Sequence, residues 1–225
     1  MQRNKRRSAA VEDYLKAIHK LGGDGGIVST RALSEQLGVA PASVTEMCKH
    51  MNSQGLVVHT PYRGVKLGSS GYRIALQMVR RHRLLEAFLV HHLGYSWDEV
   101  HIEAERLEHC LSDLLEQRIA SVLGDPVRDP HGDVIPSNRG RMSRDTSWPL
   151  DAASPGQQLV VRRVLDSDRA KLRYLGDSGI LPGAELTVDQ VMPFDGPLLI
   201  RLGGRKPSFP LGRALARSVF VEILP

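Results

Sequence analysis

The sequence predicts a mainly α-helical chain with a C-terminal β domain. Three observations lead to this. Two short helices across a tight turn are followed at once by a pair of alternating strands. Two longer helices then carry imidazoles and carboxylates at helical spacing. From Pro155 onward the texture turns to short strands separated by Gly- and Pro-rich turns. At 225 residues, 41% apolar and 24% charged, the chain has room for two or three small domains and the composition of a folded protein rather than a disordered one.

Taken in order, residues 10–22 (AVEDYLKAIHKLG) place Val11, Leu15, Ile18 and Leu21 on one helical face, with Asp13 near the start and Gly22-Gly23 as a stop. Ser29-Thr30 offers a hydroxyl cap to RALSEQLG, which Gly38 closes. After Val39-Ala40, PASVTEMCKHMNSQG opens with Pro41 in a first-turn position and ends at Gly55. Two short helices joined in this way form a helix-turn-helix. LVVHT and VKLG then alternate around Pro61-Tyr62-Arg63-Gly64, a hairpin with a basic, aromatic tip that reads as a wing. Residues 1–74 are therefore predicted to be a winged helix-turn-helix domain.

A long helix follows over about residues 71–93. Ser96 with Glu99 is a capping-box signature, so a further helix is predicted from there to about Leu123. On it His101, Glu105, Glu108 and His109 fall at i, i+4, i+7 and i+8, within about 100° of arc. An apolar stripe of Val100, Ala104, Leu107, Leu111 and Leu114 runs beside them. His82 and Glu86 form a second i, i+4 pair on the preceding helix. Nitrogen and oxygen donors of this kind suit a divalent transition metal. A solvated charged face explains any one such pair; two pairs on successive helices favour ligation. Residues 75–136 are predicted as a helical domain and 137–154 (SNRGRMSRDTSWPLDAAS), polar and without period, as a linker. Residues 155–225, with QLVVRRVL, AELTVDQVM, LLIRLGG and VFVEIL as strands, are predicted as a small barrel.

Thirty Lys and Arg against 25 Asp and Glu give +5, with basic clusters at Arg3, Lys5, Arg6, Arg7 and at Arg80, Arg81, Arg83. Such an excess is compatible with nucleic-acid binding. The second helix of the helix-turn-helix carries Ala42, Ser43, Thr45, Glu46 and Lys49 in the half that enters a major groove. Ser43 and Thr45 suit phosphates or bases, Ala42 a thymine methyl, and Glu46 a cytosine amine; Arg63 marks the wing tip. A packed helical hairpin without DNA is the alternative, and the wing with its basic tip argues against it. The two cysteines, Cys48 and Cys110, are too few for a disulfide framework, so a reducing cytoplasm is expected, with Cys110 a packed, inert thiol. The basic start lacks a following apolar segment, and no run approaches the roughly 18 apolar residues of a bilayer span, so no membrane association is expected.

The order of elements resembles that of the metal-dependent regulators of the diphtheria toxin repressor and manganese transport regulator family. The match is strongest in VEDYLKAIHKL, SVTEMCKHMNSQGLV and RRHRLLEAFLVHHLGYSWDEVHIEAERLEHCLSD, and PHGDVIP looks like that family's segment after the dimerisation helices. The resemblance implies a helical dimerisation and metal-binding domain and an SH3-like, FeoA-type C-terminal barrel. It implies a homodimeric repressor of metal-uptake genes that binds double-stranded operator DNA and uses no small-molecule substrate.

It also implies a primary metal site of Asp13, Glu105, Glu108 and His109. Asp13 stands where manganese-type members have aspartate and iron-type members methionine, and Glu105 where the iron type has cysteine. His82, Glu86 and His101 match the ancillary site, and Asp168 falls near the place where the barrel adds a ligand, with Lys171 where a neutral amide is expected. Lys16 replaces the second first-helix glutamate of the manganese type, which disfavours a bridged two-manganese cluster. The implied metal is Mn²⁺, with Fe²⁺ the alternative. A metallohydrolase is the rival from another class; the lack of HExxH and of an open coordination position argues against it, and no enzyme is expected. A DNA-binding protein with purely structural metals is a third reading.

Overall fold

The computed structural model describes residues 8–23, 25–165, 168–203 and 207–224. The basic residues Arg3, Lys5, Arg6 and Arg7 lie outside them. The chain divides into two compact units: Met1–His82 with Leu107–Ser112 and Pro136–Met142, and Arg83–Arg106 with Asp113–Ile135 and Ser143–Pro225.

In the first unit, α1 (Ala9–Gly22) starts at Ser8, whose side chain accepts from the Val11 N–H, and ends at Gly23. α2 (Thr30–Leu37) is capped by Ser29 and closed by Gly38 in the left-handed region, and α3 (Pro41–Ser53) has proline in its first turn. Each cap satisfies backbone groups that a helix end leaves open. Leu15, Ile18, Leu33, Val44 and Met51 form the buried core of these helices. β1 (Val57–Thr60) and β2 (Gly64–Leu67) pair antiparallel from Val57↔Leu67 to Thr60↔Gly64, which is the expected wing. Gly64 is required there: its φ is 121°, and a Cβ would stand 2.3 Å from the Val28 carbonyl oxygen. α4 (Ser69–Leu93) is continuous from just after the wing and runs across the expected 74/75 boundary.

One predicted helix breaks. Instead of running from Ser96 to Leu123, the chain forms α5 (Val100–Leu107), a 3-10 turn at Glu108–Cys110, an extended Leu111 and then α6 (Asp113–Val122). The reason is burial: Glu108 is fully enclosed with Lys16 and His82, a position that the half-exposed stripe of His101 and Glu105 on a straight helix does not reach. The apolar stripe divides accordingly, with Val100, Ala104 and Leu111 buried but Leu107 and Leu114 exposed. Cys110 is exposed, which corrects its reading as a packed thiol, whereas Cys48 is buried and its thiol is pushed up to about 11 by burial. A native-state titration with a thiol reagent near pH 8 is thus expected to modify Cys110 and leave Cys48 unmodified until the protein unfolds.

In the second unit a six-stranded antiparallel sheet has the order β3-β8-β4-β5-β6-β7. Its strands are β3 (Trp148–Pro149), β4 (Gln158–Val164), β5 (Glu185–Val191), β6 (Leu198–Leu202), β7 (Phe209–Leu211) and β8 (Val219–Ile223). Two helices, α7 (Arg169–Asp177) and α8 (Arg213–Ala216), join it over a core that includes Leu159, Val161, Leu172, Leu175, Ile200 and Val221. The predicted linker is too long at its C-terminal end. Trp148 and Pro149 pair with β8, and Leu150 is fully buried in the same core, so the polar texture of 137–147 gives way to packed structure seven residues early. α7 was hidden in sequence by its short, charged composition.

Candidate metal centre and DNA-facing surface

α1 places Glu12 and Asp13 on one turn and Lys16 on the next, toward the 3-10 turn that carries Glu108 and His109. The His109 ring is held from both sides: Nδ1 is 2.8 Å from Glu12 Oε2 and Nε2 is 2.8 Å from Asp13 Oδ1. Glu108 Oε1 lies 3.8 Å from the same Nε2. Burial alone lowers the His109 pKa, but the Glu12 hydrogen bond and the charges of Asp13, Glu108 and Glu12 outweigh it, so the imidazole is held above its ordinary value. Asp13, Glu108 and His109 each offer a ligand atom within 4.8 Å of the others. Two carboxylates and an imidazole, without sulfur, fit a hard or borderline divalent cation.

The Lys16 ammonium donates to both oxygens of fully buried Glu108 at 2.8 Å, and lies 3.2 Å from His82 Nδ1, which is itself 2.6 Å from Glu108 Oε2. Glu105 has a half-exposed side chain with its carboxylate 3.8 Å from His101 Nε2.

Glu86 is buried on α4, one helical turn after His82, and its Oε1 is 3.0 Å from His101 Nδ1. Its Oε2 is 3.7 Å from Nδ1 of His131, a fully buried residue. Asp129, also buried, completes a group of three with Glu86 and His131. Burial pushes the Asp129 carboxyl up to about 8, reinforced by the Glu86 and Asp133 charges against Arg83 and His131. For His131 burial acts downward, yet Glu86 and Asp129 prevail and bring it to about 9. Sequence reasoning missed Glu12, Asp129 and His131; for the last two the available signal was the Asp129-Pro130-His131-Gly132-Asp133 run, which overlaps PHGDVIP. Asp168 is not part of any such group among the described residues. Its carboxylate caps α7, Oδ1 accepting from the Ala170 and Lys171 N–H groups.

On α3, Ala42, Ser43, Glu46 and Lys49 are exposed and Thr45 is partly so. Thr45 donates its hydroxyl hydrogen to the Pro41 carbonyl at 3.0 Å, which leaves the oxygen as an acceptor. Lys49 pairs with Glu46 at 2.8 Å and so offsets the carboxylate that sits awkwardly beside phosphates. Arg63 is exposed at the wing tip next to Tyr62, which adopts φ 63° with its ring in solvent.

Three family models match the chain. They describe an iron dependent repressor N-terminal DNA binding domain over residues 8–65, an iron dependent repressor metal binding and dimerisation domain over 69–137, and a FeoA domain over 148–223. The iron-dependent repressor IdeR of Mycobacterium tuberculosis (strain ATCC 25618 / H37Rv) is 30% identical over 227 residues, covering 94% of this chain and 96% of the relative. The diphtheria toxin repressor of Corynebacterium efficiens is 32% identical over 190 residues, covering 79% and 82%. A solved manganese-dependent transcriptional repressor in complex with manganese superposes with a TM-score of 0.87 at 41% identity, covering 95% of this chain and 100% of that one.

Proposed function

Since the chain belongs to the diphtheria toxin repressor family of metal-dependent transcriptional repressors, we propose that it is a homodimeric, manganese-responsive repressor of metal-uptake genes in the cytoplasm. It is a DNA-binding regulator and not an enzyme. Among the described residues no helix is long and apolar enough to cross a membrane. Domain assignment follows the sequence reading, with a winged helix-turn-helix over 1–74, a helical domain over 75–136 and a C-terminal domain that takes in Trp148–Pro149.

The observation that carries the reading is the clamp on His109. Glu12 and Asp13 belong to the helix that packs against the helix-turn-helix core, and they grip the His109 ring at 2.8 Å on each side, beside Glu108. Asp13, Glu108 and His109 are the proposed primary ligands, with Glu105, one turn upstream on α5, completing the set. His82, Glu86 and His101 are the proposed ancillary ligands, supported by the i, i+4 spacing on α4 and the 3.0 Å Glu86–His101 contact. When bound, a divalent ion supplies one strong electrostatic tie among these carboxylates and imidazoles. The residues themselves do the rest: Asp13 fixes the orientation of α1, Glu108 and His109 hold the 3-10 turn against it, and the relative motion of the two is restricted. An ordered helix-turn-helix presents Ser43, Thr45 and Lys49 to a groove at a lower entropic cost, so metal and operator bind with positive coupling. Mn²⁺ is favoured because every donor is oxygen or nitrogen; Fe²⁺ fits the same donors and is the second reading.

A mobility-shift titration with Mn²⁺, with anaerobic Fe²⁺ and with chelator tests this. Retardation of a promoter fragment is expected with metal, strongest for Mn²⁺, and is expected to weaken steeply as salt rises because several phosphates are contacted. Equal retardation in chelator would remove the metal switch.

A further inference from the structure

We propose that one stripe of α7 is a docking surface for residues 96–99, the turn ahead of α5, and that it latches the C-terminal domain to the helical segment without any metal. Arg169, Arg173 and Gly176 recur at i, i+4 and i+7, so they fall on one face of α7. Leu172 and Leu175, on the flank beside that face, are buried in the domain's own core. Asp168 Oδ1 accepts the Ala170 and Lys171 N–H groups and so fixes the first turn, from which Arg169 projects. The helix is thus anchored on one flank and presents the stripe.

Each member of the stripe meets a different group of the turn. Arg169 Nε donates to the Asp98 carbonyl at 3.1 Å, and its Nη2 donates to Glu99 Oε1 at 2.9 Å. Arg173 Nη2 donates to Asp98 Oδ2 at 3.0 Å. Gly176 lies against the Trp97 indole: a Cβ there would stand 2.8 Å from Trp97 Nε1, so a larger residue pushes the ring off α7. Trp97 precedes α5, yet it packs against the core of the C-terminal domain. The same residue stacks on His131 at 5.8 Å between ring centroids, and its carbonyl accepts from His131 Nε2 at 2.6 Å. The Arg169–Glu99 pair is exposed and contributes little by itself. Asp98 differs, because its side chain is only 9% exposed. Burial acts upward on its pKa, but hydrogen bonds from Ser96 and Arg173 outweigh it and hold the carboxylate below its usual range. Loss of Arg173 therefore leaves an enclosed charge without its cation. None of Trp97, Asp98, Glu99, Arg169, Arg173 and Gly176 belongs to the metal-competent groups among the described residues, so the latch closes in the metal-free chain. A domain that the sequence presents as tethered by a linker is in this way a fixed part of the helical segment.

The test uses the full chain in chelator, in a Trp148→Phe background in which Trp97 is the sole tryptophan. Acrylamide quenching of its fluorescence reads how far the ring is shielded from solvent. Shielding is expected in chelator and is expected to stay the same when Zn²⁺ is added. Arg169→Ala combined with Arg173→Ala is expected to raise the quenching constant by about twofold or more, because the enclosed Asp98 charge then drives the turn away from α7. The far-UV circular dichroism is expected to be unchanged, since both arginines are exposed and α7 keeps Leu172 and Leu175 in the core. Gly176→Ala is the second, independent variant: it favours the helix itself, leaves the ion pairs in place and is expected to raise the quenching constant by displacing the indole. Quenching in chelator as strong as in urea overturns the proposal, as does an unchanged quenching constant in either variant. No DNA enters the measurement, so failure of the latch and failure of the repressor reading are told apart.

Discussion

Glu108→Ala combined with His109→Ala is expected to abolish metal-triggered DNA binding while leaving the dimer intact. Loss of an outer partner of a metal ligand costs about 10–100-fold in affinity, so removing two ligands is expected to exceed about a hundredfold at the primary set. The structural reason is specific. Both His109 nitrogens lie 2.8 Å from α1 carboxylates, and Glu108 is the fully buried third member of the group. Without them Asp13 and Glu12 face no partner from the 3-10 turn, and α1 loses its tie to it. Calorimetry with Mn²⁺ and a mobility shift on the same promoter fragment measure the two halves, and size-exclusion chromatography checks the dimer. Unchanged metal stoichiometry in the double variant would show that the ligands lie elsewhere.

Lys16→Met is expected to destabilise the metal-free protein by about 3 kcal/mol, because removing one partner of a buried ion pair strands the other charge. Lys16 is mostly enclosed and donates to both oxygens of Glu108, while methionine keeps the aliphatic stem and removes only the ammonium. His82, at 2.6 Å from Glu108 Oε2, remains as a second partner, which puts the effect at the lower end of what such pairs show. The same substitution frees Glu108 for a divalent ion, so Mn²⁺ is expected to recover most of the lost stability and to bind more tightly than in wild type. Urea unfolding in chelator and in Mn²⁺ reads both effects. An equal loss in the two conditions would mean that Lys16 acts through packing alone.

Several elements were legible because their causes are local. Ser8, Ser29, Gly38 and Pro41 act within a turn of the helices they bound, and the wing follows from alternation around a four-residue tip. Helical spacing marks Glu108 and His109, the family resemblance alone marks Asp13, and the structure brings the three together. By contrast, the break at Glu108–Cys110 follows from no local signal. It comes from enclosing Glu108 with Lys16, 92 residues away in sequence, and with His82. Cys110, at the end of the same turn, is exposed where the sequence predicted a packed thiol.

The sequence by itself determined the order of elements, the caps, the wing, the acidic and imidazole donor types and hence the hard-metal preference, because composition and short-range periodicity carry that information. Only the tertiary structure decided which charges meet. Glu12 joins His109 across 97 residues, Lys16 pairs with Glu108, Asp168 caps α7, and Asp129 with His131 closes on Glu86. The physical reason is that burial sets the energy of each ionised group by its neighbours in space, and those neighbours are brought together by packing rather than by spacing along the chain.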